Sequence, residues 1–291
     1  MHSKHSVPTD AALYVVATPI GNLGDMTLRA IEVLKRVDVV AAEDTRVTRK
    51  LLGHFGIQCE LISVREHNER SATNQLLALL AAGKSVALVS DAGTPALSDP
   101  GALAVSSVRA AGFRVVAIPG ANAAVAALSV SGLPAVPFSF HGFLPAKKSD
   151  REKALKTLQS QRGLQVFYEV PHRIVEATES MAELLGRERG VCMARELTKM
   201  FEQIHYCCLG EAVDWLRGDE NRQRGEFVLV VEGAAKGDDA ADADLAAAES
   251  LRVLAILLRE LPLKQAVQLA AEITGARKNL LYDQALEMRK N

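Results

Sequence analysis

Residues 90–101, SDAGTPALSDPG, gather carboxylates, hydroxyls and turn formers in one short stretch that could hold a small molecule. They follow the apolar run SVALVS, which reads as a buried parallel strand, and open α/β sheets place ligands at the carboxyl ends of such strands. Gly93 lets a backbone come close to a bound group, Pro95 fixes a corner of the turn, and Asp99-Pro100-Gly101 leads into a helix. The plan of strand, Pro- and Gly-containing turn, and helix recurs in LYVVATPIGNLGDMTLRA at 13–30 and VVAIPGANAAVAAL at 115–128. No G-x-G-x-x-G follows a strand and no G-x-x-x-x-G-K-[ST] is present. Gly83-Lys84-Ser85 precedes a strand and reads as a helix C-cap. A nucleotide phosphate is therefore not the obvious ligand.

Three places could supply a general base. They are Glu43-Asp44-Thr45-Arg46, the turn carrying Glu169 with His172 and Arg173, and Arg195-Glu196 with Lys199. Asp44 also reads as the N-cap of a helix beginning near Arg46. The residues alone leave the choice among Glu169, Asp44 and Glu43 open.

The elements that must position these groups alternate. Strands are expected near 13–17, 37–42, 60–64, 85–90 and 114–118, with helices at 27–36, 70–82 and 102–111 between them. Such alternation predicts an α/β domain with a mostly parallel sheet covered on both faces, over 11–121. A second α/β domain, 122–233, opens with a helix at 122–131. Strands follow near 138–141, 165–168, 190–195, 203–209 and 226–232. The pair at 190–209 leaves no room for a helix and predicts a hairpin, hence a mixed sheet. Residues 234–248, rich in Ala and Asp, read as a linker. Helical apolar spacing at 251–261, 264–274 and 278–288 predicts a small helical tail over 249–291.

Composition sets limits. With 291 residues, 48% hydrophobic, the chain can bury two modest cores. A net charge of -1 provides no global attraction to nucleic acid, so an RNA site must be a local patch. No run of about 18 apolar residues occurs and residues 1–10 lack the apolar core of a secretory signal, which predicts a soluble, cytoplasmic protein without a membrane partner. Cys59, Cys192, Cys207 and Cys208 have no C-x-x-C spacing; reduced thiols are expected, and no metal site.

Taken with AEDTR at 42–46, FHGFLP at 140–145, FYEVPHR at 167–173 and RGEFVLVVEG at 224–233, the three strand-end loops resemble those of the tetrapyrrole methylase-like superfamily of S-adenosylmethionine-dependent methyltransferases. The chain resembles in particular the bacterial branch that methylates the ribose 2′-hydroxyl of a cytidine in 16S ribosomal RNA, from about Leu13 to the C-terminus. The resemblance implies S-adenosylmethionine as cofactor, in a cleft between the two α/β domains. It assigns cofactor contacts to Asp91, Ala92, Gly93 and Thr94, to Ser139 and Phe140, to Tyr168, Glu169 and Val170, and to Glu226 and Phe227, with Pro19 bordering the cleft. It also implies a homodimer, and the small ribosomal subunit rather than DNA as partner. Methylation of a tetrapyrrole or corrin, or of a protein substrate as in diphthamide formation, is the alternative for the same fold.

Basic residues could serve an RNA partner. Lys147, Lys148 and Arg151 open a basic run just after FHGFLP, Arg46 and Arg49 share a helix, and His172 and Arg173 follow Glu169. Residues 261–286 have the shape of a helix-turn-helix, with Arg277 and Lys278 opening its second helix. The recognised tail of the family favours RNA contact over a plain helical bundle.

Overall fold

Short β-branched runs separated by helix-forming segments build a five-stranded parallel sheet from β1 (Ala12–Val16), β2 (Val39–Ala42), β3 (Glu60–Ser63), β4 (Val86–Val89) and β5 (Arg114–Ile118), in the order β3-β2-β4-β1-β5. Adjacent strand residues point to opposite faces, and both faces are buried. Tyr14, Val40 and Ala87 pack with Ala30, Val33 and Leu34 of α1 (Leu28–Leu34) and Leu52 of α2 (Thr45–His54). Their neighbours Leu13, Val39 and Val86 pack with Leu76 and Leu80 of α3 (Glu69–Ala81) and Ala104 and Val108 of α4 (Ala102–Ala110). These features belong to a computed structural model that describes residues 11–134, 137–234 and 239–288.

The second sheet follows α5 (Ala123–Val130). Its strands are β6 (Phe138–Phe143), β7 (Leu164–Glu169), β8 (Gly190–Arg195), β9 (Gln203–Cys208) and β10 (Phe227–Val231), ordered β6-β7-β10-β8-β9. Only β6 and β7 run parallel, so the sheet is mixed, and β8 and β9 form the expected hairpin with Arg195 opposite Gln203. Helix α5 lays Ala124, Ala127 and Leu128 against Val166, Val228 and Val230. Helices α6 (Lys148–Lys156), α7 (Ile174–Leu185) and α8 (Leu209–Arg217) complete this half. Burial pushes the Cys207 thiol up to about 11, so it is protonated at neutral pH.

Both sheets belong to one compact unit, reaching Lys156 and resuming over Gly163–Glu232. A second unit takes Thr157–Arg162 and the residues from Gly233 onward. Within it, α9 (Asp239–Glu260), α10 (Leu263–Thr274) and α11 (Lys278–Met288) enclose Leu254, Val267, Ala270 and Leu281. The stretch 234–248 is thus not an open linker throughout, since helix runs from Asp239; residues 235–238 lie outside the described residues. Alanine, leucine and glutamate favour helix. Among the described residues no helix is long and apolar enough to cross a membrane.

Helix α4 follows the 90–101 segment with Gly101 at its N-cap, and glycine has no side chain with which to cap it. Glu69 of α3 fills that role, accepting the N–H groups of Gly101 (2.9 Å) and Leu103 (3.3 Å). Replacing it by alanine should cost about 1–2 kcal/mol, as for other lost helix caps. Urea unfolding followed by circular dichroism measures this; an unchanged midpoint for Glu69→Ala would show that the carboxylate does not hold the helix.

Candidate active site

Strands β1 and β4 are neighbours, so the loops leaving their carboxyl ends emerge side by side and are stitched together. Thr18 donates its N–H to Gly93 O (2.8 Å) and accepts that of Gly93 (3.1 Å), while its buried hydroxyl donates to Ser90 O (3.1 Å). Gly93 has φ +80°, a conformation that side-chain-bearing residues adopt only at a cost. Ala96 (φ 66°) and Ser98 (φ 67°) pay that cost, of order 1 kcal/mol each, so the loop is held in a shape the free chain would avoid. Thr94 donates its hydroxyl to Ala121 O (3.1 Å), which ties the loop to the turn after β5. In β6, Gly142 (φ +64°) leaves room for Ser98, whose Oγ lies 2.6 Å from where a Cβ would stand.

Above this floor is a cleft. Eight of the twelve expected cofactor contacts line it: Ala92, Gly93, Thr94, Tyr168, Glu169, Val170, Glu226 and Phe227. Four do not. Pro19 is buried and does not line the cleft, whereas its neighbour Ile20 does. Asp91 turns its carboxylate to the Asp44 N–H (3.0 Å). Ser139 and Phe140 precede a bulge in β6 between Phe140 and Gly142; the extra residue brings Phe143 to the same face as Phe140, and Phe143 lines the cleft. Phe140 instead packs edge-on against Tyr168 (centroids 4.9 Å apart). The sequence reading missed Leu97, Ser98, Asp99, Asn122, Ala123 and Leu197. Asn122 and Ala123 lie in the third strand-turn-helix repeat, the signal that could have found them.

The three base candidates are engaged in structure. Glu43 accepts the Asp91 N–H (3.3 Å), and burial raises its pKa. Asp44 caps α2 through the Arg46 N–H (2.8 Å) and pairs with the Arg46 guanidinium (2.6 Å), which holds its pKa well below the usual range. Glu169 is 2% exposed: one oxygen accepts the Val170 N–H (3.0 Å), the other pairs with Arg173 (3.3 Å), and burial pushes its pKa up. Asp99 differs. It lines the cleft, and burial, aided by the charges of Glu43 and Asp91, pushes its pKa up to about 6. Lys199 also lines the cleft; burial works against its charge, but bonds to Glu196 (2.8 Å) and Glu226 (2.7 Å) outweigh it and raise its pKa. Lys199 is thus a fixed cation and not a base.

The expected RNA contacts divide in the same way. Arg49, Lys147, Lys148, His172, Arg277 and Lys278 are exposed, as is Arg46 beside Asp44. Arg151 is 1% exposed and so no phosphate contact: it shares a helix face with buried Leu155 and bonds Ser180 Oγ (3.0 Å), Ala146 O (3.2 Å) and Glu176 (3.3 Å). Arg173 spends its guanidinium on Leu144 O and Glu169. Among the described residues no group of three or more His, Cys, Asp or Glu could hold a metal ion.

Residues 12–213 match the family of Tetrapyrrole (Corrin/Porphyrin) Methylases, and residues 244–289 match the RsmI C-terminal HTH domain. The chain is 51% identical over 277 residues to a ribosomal RNA small subunit methyltransferase I of Escherichia coli O157:H7, covering 95% of each chain. It is 50% identical to the protein of that name from Pseudomonas aeruginosa, over 94% of this chain and 96% of the relative. The solved structure of a cobalt precorrin-4 methyltransferase matches the fold with a TM-score of 0.56 at 16% identity, over 76% of this chain and 94% of that one.

The raised Asp99 pKa has a consequence for stability. Between about pH 4 and 6 the unfolded chain loses the Asp99 proton while the folded chain keeps it, so this group's contribution falls as pH rises through that window and is fully lost above it. Asp99→Asn should therefore be near neutral at pH 4 and stabilise at pH 8 by on the order of 1 kcal/mol, after allowance for solvent screening. Thermal denaturation at the two pH values measures the difference; equal effects at both would refute it.

Proposed function

The chain belongs to the tetrapyrrole methylase family, and from that premise we propose that it transfers a methyl group to the ribose 2′-hydroxyl of a cytidine in 16S ribosomal RNA of the small subunit. The observation that carries this reading is half-identity along nearly the whole chain with methyltransferases named for that RNA. A tetrapyrrole substrate is disfavoured by the helical tail, since residues 244–289 match a domain named for the RNA enzymes. Exposed Arg277 and Lys278 at the start of α11 give that tail cations for phosphate.

The donor that suits the cleft is S-adenosylmethionine. Ile20, Leu97 and Phe143 provide an apolar surface for a purine, the left-handed Gly93 backbone admits close approach, and Lys199 beside Glu226 offers both charges to an amino-acid end. Bound there, it would supply a methyl group made electrophilic by its sulfonium. Asp99 is placed to take the hydroxyl proton, because it is the cleft carboxylate whose pKa lies near the working pH. Lys199 keeps its charge throughout and orients the donor. The strained 90–101 loop holds these groups in place before substrate arrives, so positioning supplies much of the acceleration.

Two results are expected. Purified protein with radiolabelled S-adenosylmethionine should label small subunits from a strain lacking this enzyme, and mass spectrometry should find 2′-O-methylcytidine; labelling of a tetrapyrrole instead would favour the alternative substrate. Asp99→Asn should lower kcat by roughly 10²–10⁴-fold and abolish the acid limb of the pH–rate profile near 6, while cofactor affinity changes little. Loss of cofactor binding with an intact limb would make Asp99 a binding residue.

A further inference from the structure

Residues 196–202, between β8 and β9, carry Met200 and Phe201 on their outer side, 90% and 69% exposed. The segment is nonetheless tightly braced. Lys199 N–H bonds Glu196 O (3.0 Å), Glu202 N–H bonds Lys199 O (3.1 Å) and Thr198 N–H bonds the Glu202 carboxylate (2.5 Å). The Lys199 ammonium clamps Glu196 and Glu226, and Glu196 (φ 50°) and Thr198 (φ 67°) are held in left-handed conformations. Leu197 and Lys199 of the same segment line the cleft. One short, strained loop therefore forms part of the cleft wall and presents a thioether and an aromatic ring to solvent beside it. Folding gains nothing from that exposure, and strain of this kind persists where function uses it.

The surroundings indicate what covers the pair. Arg195 ends β8 and donates Nε to Arg224 O (2.5 Å), just before β10, so the Arg195 guanidinium and the backbone of the exposed Arg224 stand together at this end of the sheet. Among the described residues neither arginine is held in an ion pair. Cations next to an exposed ring and a polarisable sulfur match a single-stranded nucleic acid, with phosphates for the former and a base face for the latter. A ribose can enter the cleft only where its strand is locally unpaired, and the adjoining base then lacks a stacking partner. We propose that Met200-Phe201 is a stacking platform for the unpaired RNA base next to the target nucleotide, with Arg195 and Arg224 meeting the neighbouring phosphates.

This proposal rests on the reading of the chain as an RNA methyltransferase, and its test reads binding apart from turnover. The full-length protein would be titrated into a fluorescent single-stranded oligoribonucleotide with the target sequence, and into small subunits from a strain lacking the enzyme. The double variant Met200→Ala/Phe201→Ala should weaken RNA affinity and raise KM for subunits by roughly ten- to a hundred-fold, with kcat and S-adenosylmethionine affinity little changed. Phe201→Trp should restore the loss. Arg195→Gln and Arg224→Gln should each lower the slope of log affinity against log salt by about one, which Phe201→Ala should not do. RNA affinity unchanged in a folded double variant would overturn the proposal. So would a change of mass by light scattering with unchanged RNA affinity, which would place the pair between two copies of the chain. If wild type binds RNA but transfers no methyl group, the functional reading fails while the binding comparison still decides the platform.

Discussion

The reciprocal backbone pairing of Thr18 with Gly93 is the constraint on which the site depends. Beyond the parallel ladder of β1 and β4 the chain reverses direction locally, and an antiparallel bridge at this point pairs the two exit loops. The reversal requires the left-handed conformation at residue 93, and glycine adopts it without strain. It places Ile20 on one side and Ala92 and Thr94 on the other, and it sends the following residues across to Gly142 of β6. The strained Ala96 and Ser98 lie on that crossing, and Asp99 ends it inside the cleft.

The acidic residues near the site then fall into two groups. Glu43, Asp44, Asp91 and Glu169 answer backbone N–H groups or arginines; each shapes a loop around the cleft and has little capacity left for a substrate. Asp99 is half-buried among like charges without a cationic partner among the described residues, and its carboxyl holds its proton to higher pH. In the same lining, Lys199 is neutralised by two carboxylates and stays charged. One cleft thus carries both an acid with a raised pKa and a fixed cation, among apolar side chains of its lining.

Much of this was legible in the sequence because buried parallel strands are short apolar runs and the loops after them carry Gly and Pro. The hairpin at β8 and β9 followed from spacing alone. Phe143 was not legible, since a bulge adds one residue and brings its ring to the same face as Phe140, against Tyr168. Asp99 was read as a lead into α4, because nothing in a string of turn formers shows which way a left-handed path carries it. Arg151 read as one more RNA contact of a basic run; its four-residue spacing from Leu155 sets it on the buried face, but only the partners on α7 make that burial tolerable. The Ala- and Asp-rich stretch after 234 read as a linker, whereas α9 runs from Asp239 and packs on α10 and α11 through Leu254 and its neighbours.

The most direct test of the central claim is a crystal structure of the protein with S-adenosylhomocysteine. The ligand should lie over the Gly93 backbone, between Ile20 and Tyr168, with Asp99 on the open side where a ribose hydroxyl would approach. Ligand density away from the 90–101 loop, or bound with the Thr18 and Gly93 pairing broken, would contradict the claim that this bridge builds the site.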